Sequence, residues 1–304
     1  MATRPLSNIQ WTRRERQSLV LGLLFISPWL INALFLQLYP FLASMYYSLT
    51  YYNVFQPAHF IGLENYRVML FDDKLFWISL YNTIYFTLFS ISGGTILAIV
   101  IAIMLNMNVQ FRPFYRAIYY LPTVTPTVAN AVLWLWLFNP LYGPINAALK
   151  ATGLSSPSWL GDPNWAKPAL IIMSYWGLGQ AMIIYLASLQ DVPREMIEAA
   201  ELDGANWFQR TLRVTLPLIS PVIFFNAVTG MIGSFQYFAE AYVMTKGGPG
   251  DATLFYGLYL YNSAFGYFKM GYASALAWVL FILILLITML AFRVSRRHVH
   301  YQGG

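Results

Sequence analysis

Long charge-free intervals alternate with short charged stretches along the chain. They lie between Arg16 and Glu64, Lys74 and Arg112, Arg116 and Lys150, Lys167 and Asp191, Arg213 and Glu240, and Lys269 and Arg293. Each holds an apolar run, near residues 19–38, 82–105, 117–138, 168–190, 216–239 and 273–292, and 278–290 is the most apolar stretch of all. A helix needs about 20 such residues to cross the hydrocarbon core of a bilayer. Spanning strands are shorter and alternate in polarity, whereas a helix satisfies its own backbone inside lipid. The pattern predicts an all-α integral membrane protein with about six transmembrane helices. A segment of residues 1–18 precedes a membrane domain of residues 19–293, and residues 294–304 form a tail.

Composition agrees. The 304 residues are 58% hydrophobic and 10% charged, against about 25% charged in soluble domains. Arg4, Arg13, Arg14 and Arg16 precede the first apolar run, a pattern shared with cleaved signal peptides. The run is long enough to span and no small-x-small cleavage site follows, so it reads as an uncleaved first helix. Cysteine is absent, which excludes disulfides and thiolate metal sites. Neither His59 nor the tail pair His298 and His300 has metal-ligand spacing.

The net charge of +6 comes from arginine and lysine. With the N-terminus in the cytoplasm, the cytoplasmic segments hold twelve basic residues: Arg4, Arg13, Arg14, Arg16, Arg112, Arg116, Arg194, Arg210, Arg213, Arg293, Arg296 and Arg297. The other side holds six: Arg67, Lys74, Lys150, Lys167, Lys246 and Lys269. That asymmetry predicts that both termini are cytoplasmic, and it assigns the basic excess to membrane loops rather than to a nucleic-acid face. Tyr46, Tyr47, Tyr51, Tyr52, Trp159, Trp165, Tyr256 and Tyr259 fall where interfacial anchors are expected. Pro122 and Pro126 predict an irregularity in the third span. The Pro-, Gly- and Ser-rich stretch 139–167 reads as an irregular surface.

The loop 191–213 stands apart from the other loops. Pro193 marks a helix start, and Glu195 and Glu198, three residues apart, share a face. Ala199 and Ala200 add little bulk, Asp203-Gly204 stops the helix, and Asn206 with Gln209 forms a capping pattern for a second short helix. A solvated connector would be the plain reading of such a charged loop. Its spacing is more specific: Glu198-Ala199-Ala200, three residues, Gly204, nine residues, then Val214-x-Leu216-Pro217. This resembles the EAA loop of binding-protein-dependent ABC importers, with Val214 where the family often has isoleucine. Residues 60–66 (FIGLENY), Thr245-Lys246-Gly247-Gly248-Pro249, Ala264-Phe265 and Gly271-Tyr272-Ala273 are similar to the maltose-type and glycerol-phosphate-type carbohydrate permeases.

The resemblance runs from about residue 20 to residue 293. It implies a type I importer permease fold in a bacterial or archaeal plasma membrane, with a second related permease, an ABC ATPase dimer and an extracytoplasmic substrate-binding protein as partners. Glu195, Glu198, Ala199, Ala200, Asp203, Gly204 and Pro217 would couple to the ATPase. No catalytic residue, metal or cofactor is expected in this chain. None of its five lysines follows a glycine, so it lacks a phosphate-binding G-K-[ST] element.

Candidate pathway residues are Ser174, Tyr175 and Gln180 in the fourth span and Ser234, Gln236, Tyr237 and Glu240 at the end of the fifth. Sugar sites combine aromatic platforms with a few polar groups, but small and polar residues also serve helix packing. Glu240 is either an intramembrane acid or a solvated residue at a helix end. An ion- or proton-coupled transporter remains the alternative, and it would need more buried ionisable groups than Glu240. The predicted topology has a direct test. A single cysteine at Ser156→Cys should react with an impermeant thiol reagent added from outside the cell, and labelling only from the cytoplasmic side would refute the orientation.

Overall fold

The computed structural model describes residues 12–107 and 109–295; Arg4, Arg296, Arg297, His298 and His300 lie outside the described residues. The chain starts with an arm. Helix α1 (Arg13–Ile31) continues through a wider π-type stretch (Asn32–Leu38) into α2 (Tyr39–Ser48), making one 36-residue helix. A capping box opens it: Thr12 Oγ1 accepts the Glu15 N–H, and the Glu15 carboxylate accepts the Thr12 N–H. No residue of α1 is buried. A helix this apolar that leaves its surface uncovered is suited to lipid or to another chain. By contrast α2 packs on α15 (Met270–Ser295), where Phe41 meets Trp278 at 4.7 Å between ring centroids and Trp278 Nε1 donates to Ser44 Oγ at 3.2 Å.

A two-stranded ribbon follows, β1 (Thr50–Tyr51) antiparallel to β2 (His59–Phe60), and then the short α3 (Glu64–Arg67). Asn65 secures the ribbon by donating to the Ser48 and Thr50 carbonyls, each at 2.9 Å. The spine is α4 (Lys74–Asn106), 33 residues or roughly 50 Å long. It packs against α8 (Pro163–Ser174), α9 (Gly179–Gln190) and α12 (Leu216–Phe235). Between spine and α8 lie α5 (Arg112–Val124), α6 (Thr127–Leu137) and α7 (Pro144–Ala151). After α9 come α10 (Arg194–Leu202) and α11 (Trp207–Arg210), and α11 winds through a π-type turn (Thr211–Thr215) into α12. The last elements before α15 are α13 (Ala239–Met244) and α14 (Tyr256–Tyr261).

The bundle has two cores. At the ribbon end, Phe76, Phe86, Phe138, Leu170, Phe255, Tyr256 and Leu276 are buried together. At the end carrying α10 and α11, Ala98, Ala102, Leu105, Met182, Tyr185, Leu186, Val192 and Ile219 form the second. The ribbon end is tied by side-chain hydrogen bonds. Asp73 caps α4, its Oδ1 accepting the N–H groups of Leu75 (2.9 Å) and Phe76 (3.2 Å). Its Oδ2 accepts the hydroxyls of Tyr259 on α14 and Tyr272 on α15. Burial, reinforced by the Asp73 bond, pushes the Tyr259 phenol above its usual range, so it stays a donor. Asn82 Nδ2 donates to the carbonyls of Asp251 (2.8 Å) and Leu254 (3.1 Å), Thr83 Oγ1 accepts the Tyr256 N–H, and the Tyr256 hydroxyl donates to the Leu276 carbonyl.

Four helices, beginning at Arg13, Lys74, Trp207 and Met270, are long and apolar enough to cross a membrane, and a fifth candidate is the pair α8–α9, bent by 47° at Gly177–Gly179. The third predicted span is broken instead. Thr125 is extended ahead of Pro126, as a residue before proline prefers, so α5 and α6 are separate helices. The second helix begins at Lys74, not near 82, because Ser79, Asn82 and Thr83 are buried and satisfied within the protein rather than marking a polar boundary. The first runs on to Ser48, its final part covered by α15.

Two expectations need correction. Trp159, Tyr256 and Tyr259 are not interfacial anchors: all three are buried, with their polar atoms bonded to Asn146, Leu276 and Asp73. Stretch 139–167 is not irregular throughout. It contains α7, and the buried Asn146 organises it by donating to Pro157 O at 3.1 Å and accepting from Trp159 Nε1 at 2.7 Å.

Asp73→Ala should lower thermal stability in detergent by about 2–4 kcal/mol, combining a lost cap with two orphaned tyrosine donors. Tyr259→Phe should cost less, about 1–2 kcal/mol. An Asp73→Ala protein that melts with wild type would show that this carboxylate does not hold the ribbon end together.

Candidate coupling loop and substrate cavity

The loop after α9 is a helix–turn–helix built from local rules. Pro193 precedes α10 in an extended conformation and cannot donate a backbone hydrogen bond, so the helix starts there. It ends in a Schellman motif: the Gly204 N–H donates to Glu201 O at 2.9 Å and the Ala205 N–H to Ala200 O at 3.0 Å. Gly204 sits at φ +79°, the left-handed conformation that favours glycine. Asn206 and Gln209 then form a reciprocal capping box that starts α11.

One side of α10 is anchored and the other is free. Val192 is buried and Ile197 packs against the second core. Glu195, Glu198, Ala199, Asp203 and Gly204 are exposed, and Ala200 is half-buried. A Cβ built on Gly204 would meet nothing within 4 Å among the described residues, so the space beside the turn is open to them. Pro217 lies in the first turn of α12, half-buried, directly after the π-type turn. The sequence reading missed one member of this assembly. Glu201 on α10 and Arg210 on α11 form an ion pair across the turn, and the arginine is the more buried of the two. Opposite charges nine residues apart carry no signal until the turn folds α11 back beside α10.

The candidate pathway residues divide. Ser174, Ser234, Tyr237 and Glu240 line one cavity of about 330 Å³ between α4, α6, α8 and the α12–α13 break. Phe86, Ser90, Asn130 and Gly230 are among the other residues that line it. Tyr237 stacks on Phe86 at 4.2 Å between centroids and meets Phe255 edge-on. The serine hydroxyls donate to their own helices, Ser174 to Ile171 O and Ser234 to Gly230 O, leaving oxygen lone pairs free to accept. Asn130 Oδ1 is buried with no hydrogen-bond partner among the described residues. An aromatic platform with hydroxyls, an amide and one carboxylate suits a small polyhydroxylated ligand.

Tyr175, Gln180 and Gln236 are not among the residues lining this cavity. The Tyr175 hydroxyl donates to Phe89 O at 2.8 Å, and its ring rests where a Cβ on Gly93 would come within 2.2 Å of the phenol oxygen, so it locks α8 against the spine. Gln180 and Gln236 are exposed. Glycine at 93 was the one sequence signal for this close packing. Asn130 had none, because its helix reads as lipid-facing until α6 meets α13. Among the described residues no group of His, Asp and Glu could hold a metal ion.

Comparison with known proteins follows the same outline. Residues 94–300 match the family described as binding-protein-dependent transport system inner membrane component. The probable ABC transporter permease protein YesP of Bacillus subtilis (strain 168) is 40% identical over 296 residues, 96% of each chain. The lactose transport system permease protein LacF of Rhizobium radiobacter is 35% identical, covering 90% of this chain and 94% of that protein. Among solved structures, a chain of a bacterial ABC transporter involved in import of the acidic polysaccharide alginate superimposes with a TM-score of 0.78 at 26% identity, covering 93% of this chain and 96% of that one. The chain belongs to the family of inner membrane permease components of binding-protein-dependent ABC importers, with the type I permease fold.

Proposed function

We propose that this chain forms half of a carbohydrate pathway and that its α10–α11 loop docks on the ATPase. The observation that carries the reading is the two-sided α10: Ile197 is anchored in the core while Glu195, Glu198 and Gly204 stand free beside open space. A short helix anchored on one face is a knob for a groove in a soluble partner. Its carboxylates would meet basic groups and set register. The Glu201–Arg210 pair would make α10 and α11 one body, so that a push on α10 reaches α12 through the turn before Pro217. That is rigid-body rocking of a gate.

The carbohydrate assignment rests on the cavity lined by Tyr237, Phe86, the two serines and Asn130, and on relatives named for lactose and alginate transport. The arginine asymmetry supports a cytoplasmic α10–α11 loop and cytoplasmic termini. The ribbon end would then face the binding protein, where a hollow of about 780 Å³ opens beside Tyr52, Asp72 and Lys269. A second, related permease would complete the pathway, and ATP hydrolysis would occur in the separate ATPase subunits.

The test is co-purification of the ATPase together with substrate-stimulated ATP hydrolysis. Gly204→Asn tolerates the left-handed turn and should keep the loop folded. Gly204→Trp fills the open space and should abolish docking. Glu198→Lys should be worse than Glu198→Ala, because repulsion adds to a loss of roughly 2–5 kcal/mol if the contact is buried. A Gly204→Trp importer with wild-type docking and hydrolysis would refute the coupling role.

A further inference from the structure

The seam between α4 and α8 holds a cation that the coupling loop and the cavity leave unused. Lys167, in the second turn of α8, is half-buried. Its Nζ donates to Asn82 Oδ1 at 3.0 Å and lies 4.9 and 5.1 Å from the ring centroids of Tyr81 and Tyr85. Among the described residues the ion pairs are Glu64–Arg67 and Glu201–Arg210, so no carboxylate neutralises it. Asn82 is 2% exposed and its amide nitrogen is committed to the Asp251 and Leu254 carbonyls, which leaves Oδ1 aimed at the ammonium. The cation therefore rests on a fixed cradle of one amide oxygen and two ring faces.

That cradle satisfies the lysine only in part. An ammonium carries three donors, and one is used among the described residues. A cation drawn partly out of water without a counter-charge is disfavoured, and ionisable groups kept in membrane-protein seams commonly serve a ligand. Tyr81 is 60% exposed, so the cradle opens to the surface.

Its position ties it to the pathway. Asn82, Phe86 and Ser90 follow one another by single turns on one face of α4, and Lys167 and Ser174 are two turns apart on one face of α8. Phe86, Ser90 and Ser174 line the 330 Å³ cavity. The cation thus sits roughly 10 Å along the same seam, toward the ribbon end.

We propose that Lys167 is an anion subsite that takes the carboxylate of an acidic sugar, whose ring lies on Tyr81. The inference rests on the carbohydrate reading and narrows it to uronate-bearing substrates. Two ring faces beside a desolvated ammonium bind a flat-faced sugar and its charge together.

The experiment uses the complete importer, with its binding protein, in phosphatidylcholine vesicles. Uptake is measured for uronate disaccharides, their methyl esters and lactose, in wild type, Lys167→Gln and Lys167→Arg. The wild type should take up the acids with a KM about tenfold or more below that of the esters. Lys167→Gln should erase that preference by raising the KM for the acids about tenfold, toward that of the esters, and Lys167→Arg should retain most of it. A glutamine variant that keeps the preference, or that loses acid and ester uptake in parallel, overturns the proposal. So does a Lys167→Gln defect that emerges only when anionic lipid is added, which would assign the lysine to a headgroup. Import of lactose and esters without any preference for acids overturns the subsite but leaves carbohydrate import standing, whereas uptake of no carbohydrate at all fails both.

Discussion

A buried polar group must find its partner within the protein, and at the ribbon end that constraint is met by a few side chains bonded many times over. Asp73 accepts two backbone N–H groups and two tyrosine hydroxyls, and so joins the head of the spine to α14 and α15. Asn82 and Thr83, two to three turns farther on, receive the chain before α14 and its first residue. A carboxylate hydrogen bond is roughly twice as strong as a neutral one, and losing one partner strands the other. The ribbon end is therefore closely cross-braced, and Phe86 and Tyr237, which line the cavity, pack against it through Phe255.

The other end is held differently. Its core is apolar, with Ala98, Ala102, Met182, Tyr185, Leu186 and Ile219 among its members. Apolar contact is non-directional and lets helices slide, whereas a fixed hydrogen-bond network does not. The joints fall accordingly. The π-type turn before α12, the bend between α8 and α9 and the break at Pro126 all separate rigid lengths of helix. At this end the Glu201–Arg210 pair ties α10 to α11.

Covalent and local physics explain how much of this could be read directly. Pro193 and Gly204 bound α10, and the Asn206–Gln209 box starts α11, because each is a rule about a residue and its neighbours within one turn. The charge-free intervals located the long helices for the same reason: hydrophobicity over about 20 residues is a property of the run alone. Helix ends were less legible. Asn82 and Thr83 are polar yet lie well inside α4, because they bond to residues 169 to 173 positions away.

The sequence by itself determined the class of molecule and the shape of its α10–α11 loop, which follow from hydropathy and short-range backbone chemistry, while the spacing from Glu198 to Pro217 carried the resemblance to its family. Only the tertiary structure decided which polar residues share a site. It gathered Ser174, Ser234, Tyr237 and Glu240 with Asn130 around one cavity, turned Tyr175 away to lock the spine, and set Lys167 on Asn82 and two tyrosine rings. Those assignments depend on where helices cross and where they break, which side-chain packing over distances of many residues controls and no local pattern encodes.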